Sequence, residues 1–194
     1  MKKNCKGFTL VELMISVLIF GVVSAAIFGF MLTGAKTYNT VTDRISQQTQ
    51  AQMAVNQLGD CLIDCNAGVY FDTTSNPPSK TLYIINVTME KKTGDKDTYV
   101  PNYKAHVFKF ENGEIRYGNL GITKNTDGSF SCQGKVDELL TDDVSDFSVE
   151  FKGDEKLTKC DSATVSVTLK NRTLETVNTR TFAFRNKPAK VTVS

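Results

Sequence analysis

Charge is nearly missing from the N-terminal part of this sequence. Glu12 is the only charged residue between Phe8 and Ala35, in a stretch that is otherwise apolar, small or hydroxylated. A carboxylate costs about 2.5 to 3.5 kcal/mol at the centre of a bilayer and less near its edge, so a charge kept there indicates a function. Proline is also scarce, and none precedes Pro77. Nothing before that residue therefore forces a helix to break.

Histidine and net charge are scarce as well. His106 is the only histidine, and no nucleophile motif points to a hydrolytic triad around it. The 23 basic residues exceed the 21 acidic ones, but Lys2, Lys3 and Lys6 precede the apolar stretch. Without those three lysines, 20 basic residues stand against 21 acidic ones, and the side chains sum to −1. Such a chain has no broad electrostatic surface for nucleic acid, so a nucleic-acid partner is not expected.

The apolar stretch from Phe8 to Leu32 is long enough to cross a bilayer as a helix, which needs roughly 20 residues. The three lysines before it keep the N-terminus in the cytoplasm by the positive-inside rule, and the bulk of the chain is then outside. An ordinary secretory signal has an apolar region of about 7 to 15 residues, shorter than this one. A plain anchor explains the length but leaves Glu12 unexplained. A lipoprotein signal would place Cys5 after the apolar stretch, not before it.

The junction between the basic segment and the apolar stretch reads Lys-Gly-Phe-Thr-Leu-Val-Glu, from Lys6 to Glu12. It resembles the class III signal and assembly helix of type IV pilins and type II secretion pseudopilins. The resemblance implies that prepilin peptidase cuts between Gly7 and Phe8 and methylates the new amine of Phe8. It also implies that Glu12 pairs with the terminal amine of a neighbouring subunit and so sets the register of a filament. No cofactor is implied.

The assembly role of Glu12 also has a physical argument. Unpaired charges in a low-dielectric helix bundle are costly, and pairing them removes much of that cost, so most wrong offsets between subunits are disfavoured. The alternative is that Glu12 only reaches to the lipid headgroups. Further along, Gly21, Ala25 and Gly29 form a small-residue stripe that would let helices pack closely. Tolerance of glycine in membrane helices explains the same stripe.

The helix is predicted to continue to about Cys65, with residues 36–66 amphipathic and docked on a globular domain. Its apolar face is predicted from spacings near 3 and 4, and Asn66-Ala67-Gly68 is a stop signal; the face comprises Val41, Ile45, Val55, Leu58, Leu62 and Cys65, bridged by Gln48 and Ala51. Residues 72–79 and 90–98 are predicted loops. Strands are predicted at 81–89, 146–152, 163–170 and 179–185, with a hairpin turning at Asn112-Gly113.

Strands that follow one helix predict an α+β fold with an antiparallel sheet. The predicted organisation is a leader at 1–7, a transmembrane assembly helix at 8–35, its amphipathic continuation at 36–66 and a globular domain at 67–194. The segments 138–140, 144–151, 163–169 and 180–186 resemble the late strands of J-type minor pseudopilins and PilW-like minor pilins, whose subunits sit at filament tips. Residues 69–134 resemble no family beyond their hairpin.

Four cysteines follow the membrane segment: Cys61, Cys65, Cys132 and Cys160. An even number outside the membrane predicts two disulfides, with three connectivities open. Cys61 and Cys65 lie one helical turn apart and are awkward to bridge, so each is expected to bond to one of the other two. The alternatives are free thiols and a four-cysteine zinc site, which the spacing does not favour. The acidic residues at 142–146 and 154–155 lack the spacing of a calcium loop, and no metal is expected.

The sequence is therefore interpreted as a non-enzymatic minor pilin or pseudopilin of a bacterium that starts or caps a type IV pilus-like filament. Its expected partners are other pilin subunits, prepilin peptidase, the inner-membrane assembly platform and membrane lipid. It would be a single-pass membrane protein before assembly and part of a periplasmic or extracellular filament afterwards. A tip adhesin or DNA-uptake receptor on the same anchor is the alternative, and a tethered enzyme using His106 is a third.

Overall fold

The structure is a computed structural model and describes residues 8–75, 79–92, 98–170 and 175–193. One helix, α1, runs from Leu10 to Ile63 without interruption. By contacts the chain divides into two compact units, Met1–Ile45 and Ser46–Ser194. In the described part of the first unit nearly every side chain is exposed, including Phe8 at 82% and Phe30 at 81%. Such a surface requires lipid or protein around it.

The second unit begins with the last turns of α1, which bury one face. Its buried residues follow the 3–4 spacing of an amphipathic helix; they are Gln47, Ala51, Ala54, Val55, Leu58, Gly59 and Leu62. Two members of the predicted apolar face are corrected, because Val41 and Ile45 are 47% and 59% exposed. Both belong to the first unit, whereas the buried residues of α1 begin at Gln47, in the second unit. The predicted bridging residue Gln48 is also exposed, and Gln47 is buried in its place.

The larger sheet has seven strands. Its path is β10-β1-β2-β3-β4-β5, with β6 paired to β4, and every pairing is antiparallel except that of β10 with β1. The strands are β1 (Gly68–Ser75), β2 (Ser79–Lys91), β3 (Tyr99–Glu111), β4 (Glu114–Lys124), β5 (Phe130–Gln133), β6 (Glu138–Thr141) and β10 (Ala189–Lys190).

This sheet curls back on itself. Phe130 of β5 forms a parallel bridge with Val193, just after β10, and its backbone N–H donates to the Thr192 carbonyl at 3.1 Å. The two ends of the sheet are thus joined through the C-terminal segment. The concave side holds its own apolar cluster; its buried members are Ile85, Ala105, Val107, Leu120, Ile122 and Phe130.

The smaller sheet has three antiparallel strands in the order β7-β8-β9: β7 (Val144–Gly153), β8 (Cys160–Lys170) and β9 (Glu175–Ala183). The main core joins this sheet, the end of α1 and the convex side of the larger sheet. Leu58, Phe108 and Phe147 are fully buried there. Each such side chain contributes about 1.5 to 3 kcal/mol by leaving water, so this cluster fixes the arrangement of the domain. The predicted class, one long apolar helix packed on an antiparallel α+β domain, is confirmed.

The predicted hairpin is also confirmed. Asn112 and Gly113 both have positive φ, 54° and 82°, and Glu111 pairs with Glu114 across the turn. The prediction of a loop over residues 72–79 is wrong at both ends, because β1 continues to Ser75 and β2 starts at Ser79; residues 76–78 lie outside the described residues. The Asp72 carboxylate accepts the backbone N–H of Thr74 at 2.8 Å, beside an irregularity in the register. Turn-forming residues therefore occur here inside a paired strand.

The other strand boundaries shift by smaller amounts. The predicted loop at 90–98 loses its first two residues to β2, and residues 93–97 lie outside the described residues. The last predicted strand, 179–185, is β9 and ends at Ala183; the Arg185 N–H donates instead to the Ile63 carbonyl at the end of α1. Strands β1, β5, β6 and β10 were not predicted. They are short or rich in polar residues, and pairing with longer neighbours creates them.

Candidate functional site

The helix begins with a capping box formed by Thr9 and Glu12. Glu12 Oε2 accepts the backbone N–H of Thr9 at 3.0 Å and its hydroxyl at 3.1 Å, while the Glu12 N–H donates to Thr9 Oγ1 at 3.3 Å. This pattern satisfies backbone donors that a helix start leaves open. The role of Thr9 was missed from sequence, although Thr-x-x-Glu ahead of an apolar run is the recognised signal. Gly7, the predicted cleavage residue, lies outside the described residues.

The position of the carboxylate bears on its predicted role. Glu12 Oε2 is used by Thr9, whereas Oε1 has no hydrogen bond to any described residue. Phe8 precedes Thr9 directly, so an amine created at Phe8 would begin the same turn that the carboxylate caps. One oxygen can then hold the start of its own helix while the other accepts a donor from a second chain.

Two hydroxyl groups in the membrane-length part of α1 are satisfied within the helix. Ser16 donates to the Glu12 carbonyl at 2.7 Å and Thr33 to the Gly29 carbonyl at 3.0 Å. Such bonds remove the cost of a free hydroxyl in hydrocarbon. By length and composition, α1 is apolar enough to cross a membrane, and its most apolar window has a mean hydropathy of 2.5. It fits a single-pass anchor.

The predicted small-residue stripe lies on this exposed part of α1. Apart from the neighbouring residues and the backbone of the helix itself, no atom lies within 4 Å of a Cβ built on Gly21 or Gly29, and Ala25 between them is exposed. Within the described part of the chain, the two glycines of the stripe therefore contact no other element. Its predicted role in packing against other helices stays a prediction.

The four cysteines are free thiols in the structure. Cys65 and Cys160 are fully buried members of the main core, and Cys61 packs at its edge. Cys132 belongs to the other cluster, on the concave side of the larger sheet. The structure therefore does not bring Cys132 together with Cys61 or Cys65, and the predicted staple through Cys132 has no structural support. The disulfide pattern stays a prediction.

The reactivity of Cys61 should depend steeply on pH. Burial, with Asp60 and Asp64 beside it, raises the pKa of Cys61 from 9.0 to about 11. Below that pH the thiol stays protonated, and only the thiolate reacts. We expect iodoacetamide to modify Cys61 about a hundredfold more slowly than a free cysteine at pH 8, rising about tenfold per pH unit. Peptide mass spectrometry would measure both rates, with the urea-unfolded chain as the control. Equal rates in folded and unfolded chains would contradict the prediction.

Three of the remaining candidates for chemistry, His106, Asp146 and Asp154, have structural partners. His106 Nδ1 lies 2.7 Å from the Tyr117 hydroxyl, and burial lowers the His106 pKa. Asp146 pairs with Lys80 at 2.5 Å. Asp154 accepts the Thr158 hydroxyl and the Lys159 N–H, which lowers the pKa of its carboxyl, the Thr158 bond most strongly. In the part of the chain that the structure describes, no three His, Cys, Asp or Glu side chains group as metal ligands would.

Comparison with known proteins gives one result for the N-terminal segment. The family model for the prokaryotic N-terminal methylation motif matches residues 2–35. That range contains the Gly7-Phe8 junction, the Thr9–Glu12 capping box and the small-residue stripe. A search of curated proteins finds no match to this chain. Pilin-type proteins are usually structural subunits, and the motif implies assembly into a pilus-like filament with other pilins. The match, with the long exposed helix and the antiparallel domain, indicates a type IV pilin-like protein and supports the pilin and pseudopilin superfamily for this chain.

Proposed function

We propose that this chain is a minor pilin or pseudopilin that starts or caps a type IV pilus-like filament after cleavage and methylation at Phe8. The observation that carries the proposal is the N-terminal motif at residues 2–35, with Glu12 held at the first turn of an apolar helix whose side chains up to Ile45 are nearly all exposed. An exposed helix of this kind needs other helices around it once it leaves the lipid. A filament core of equivalent helices supplies them.

Processing would prepare the helix for this step. Cleavage after Gly7 removes the lysine-bearing leader and creates an amine at Phe8. As a subunit enters the filament, its amine meets the Glu12 carboxylate of the subunit already in place. The Oε1 atom is available for that contact while Oε2 keeps the helix capped. Pairing two charges in a low-dielectric bundle removes a cost of several kcal/mol per ion, which disfavours other axial offsets.

The minor rather than major role rests on the last part of the chain. The segments that resemble J-type pseudopilins and PilW-like pilins lie mostly in strands β7, β8 and β9, which make a sheet of their own, whereas residues 138–140 lie in β6 of the larger sheet. The smaller sheet packs on the last turns of α1, with Phe182 of β9 against Gly59. The resemblance thus covers the smaller sheet and one short strand of the larger sheet. In the families that it points to, such subunits act at filament tips.

The first experiment is the mass of the N-terminal peptide from the full chain expressed with and without prepilin peptidase. We expect a peptide beginning at methylated Phe8 only when the peptidase is present, because the motif places the cut after Gly7. A chain that keeps Met1 in both samples would be a plain anchor and would end the filament proposal.

Minor status is then tested by quantitative mass spectrometry of sheared filaments. A few copies per filament are expected, whereas a majority share would make it a major pilin.

A tip adhesin on the same anchor is the second candidate. The observation that favours it is a polar cavity on the concave side of the larger sheet, away from the helix. An adhesin and a filament initiator share the anchor, so the two functions are compatible in one chain.

A further inference from the structure

The concave side of the larger sheet opens into a cavity of about 420 Å³. The lining side chains of β2 and β3 point to the concave side of the sheet, where the apolar cluster of Ile85, Ala105, Val107, Leu120, Ile122 and Phe130 lies. This cluster therefore forms the floor of the cavity. Small-molecule sites are typically about 300 to 1,000 Å³, which places this one at the lower end. Its lining includes Ser79, Thr81 and Tyr83 of β2, Lys109 and Glu111 of β3, and Cys132 of β5.

Two hydroxyl-bearing side chains of β2 line the cavity. Ser79 and Thr81 are each only 5% exposed. A ligand that brings its own donors and acceptors into the cavity can hydrogen-bond to these hydroxyls. An apolar ligand would cover them without offering such a partner.

The charges at the cavity cancel. Lys109 Nζ and Glu111 Oε2 form an ion pair at 2.7 Å, with both side chains about one third exposed. Burial raises the pKa of the Tyr83 phenol and of the Cys132 thiol, so both are neutral at pH 7. The cavity wall therefore offers neutral hydroxyls, a thiol and the Lys109–Glu111 ion pair, which has no net charge. It favours neither an anion nor a cation.

An aromatic wall completes the arrangement. Tyr83 is half-buried and stacks on Tyr70 of β1, with ring centroids 6.0 Å apart. Because the Tyr83 ring already stacks on Tyr70, it loses little side-chain conformational entropy when a ligand packs against it. Its hydroxyl adds one more donor and acceptor.

We propose that this cavity binds an uncharged polyhydroxylated ligand, a terminal sugar residue of a glycan. A sugar has hydroxyl groups for Ser79 and Thr81, C–H groups that pack on an aromatic ring, and no net charge. The volume admits one or two sugar rings. The inference does not depend on filament assembly, because every residue it uses belongs to the second unit of the chain.

The test uses the full chain in a zwitterionic detergent without a sugar headgroup, because an alkyl glycoside would compete for the cavity. Glucose, galactose, mannose and N-acetylglucosamine are added separately, with inorganic phosphate as a charged probe. The readout is alkylation of Cys132, measured by peptide mass spectrometry with Cys61 as an internal reference. At about ten times its Kd, one of the sugars should slow Cys132 alkylation about tenfold and leave Cys61 unchanged.

Matched variants separate the cavity from a general effect. Thr81→Val keeps the shape and strand propensity of the side chain but removes its hydroxyl, and we expect at least about fivefold weaker protection by the sugar. Thr179→Val makes the same change on exposed β9, outside the cavity, and should have no effect. The proposal is overturned if no sugar slows Cys132, if only phosphate does, or if the two variants behave alike.

Discussion

Replacing Glu12 by Gln should abolish incorporation of this chain into filaments while leaving cleavage and methylation at Phe8 intact. Gln can still accept the Thr9 donors in the capping box, so the start of the helix is preserved. It carries no charge, so it cannot neutralise the amine of an incoming subunit, and that amine stays unpaired in the helix bundle. Leaving one buried charge unpaired costs about 3 to 5 kcal/mol, which would reduce incorporation by more than about a hundredfold.

The measurement is the amount of the chain in sheared filaments relative to the amount in the membrane, by immunoblot, together with the mass of the N-terminal peptide. Thr9→Val is the matched control, because it removes the hydroxyl of the cap and keeps the charge. We expect this variant to assemble at near-normal levels. Normal assembly of the Glu12→Gln chain would show that the carboxylate acts only as a helix cap. The axial register between filament subunits would then need another explanation.

The second large effect is expected at Gly59, where the last part of α1 meets β9. A Cβ built on Gly59 would lie 2.2 Å from the Phe182 ring, far inside van der Waals contact. Gly→Ala inside a helix normally stabilises by about 1 kcal/mol. Here we expect Gly59→Ala to lower the free energy of unfolding by about 2 to 3 kcal/mol instead, because the helix or the half-buried Phe182 ring, which packs against the main core, must shift.

Urea unfolding of the full chain in detergent, followed by circular dichroism, would measure this change. Gly34→Ala is the control, since no atom lies within 4 Å of its added Cβ. It should leave the transition unchanged or raise the midpoint. Phe182→Leu combined with Gly59→Ala should recover part of the loss by opening space for the methyl group. If Gly59→Ala is as stable as the original chain, the helix does not pack on β9 this closely.

Local sequence determined the helix and its start. The uninterrupted apolar run, the lack of proline and the Thr9-x-x-Glu12 spacing predict a long capped helix, because these signals act within one or two turns. The Asn112-Gly113 turn is equally local, since both residues tolerate positive φ. These features could be derived without knowing any distant contact.

The buried face of α1 was only partly predictable. The period of apolar residues continues back through Ile45 and Val41, but only positions from Gln47 onward are covered. Where burial begins depends on how far the sheets reach along the helix, which no helical period encodes. Likewise, the strand residues around Asp72 have turn chemistry and become strand because β2 pairs with them.

Local patterns in the sequence predict a membrane-length helix with a methylation motif, one charge in that apolar helix, and an antiparallel domain after it. Only the folded chain shows that Cys132 lies in a different cluster from Cys61, Cys65 and Cys160, on the other side of a sheet. It alone also brought Ser79, Thr81 and Cys132 to one cavity, from strands separated by some fifty residues of sequence. The physical reason is that strand pairing and sheet curvature join distant segments, and neither leaves a local signal in the chain.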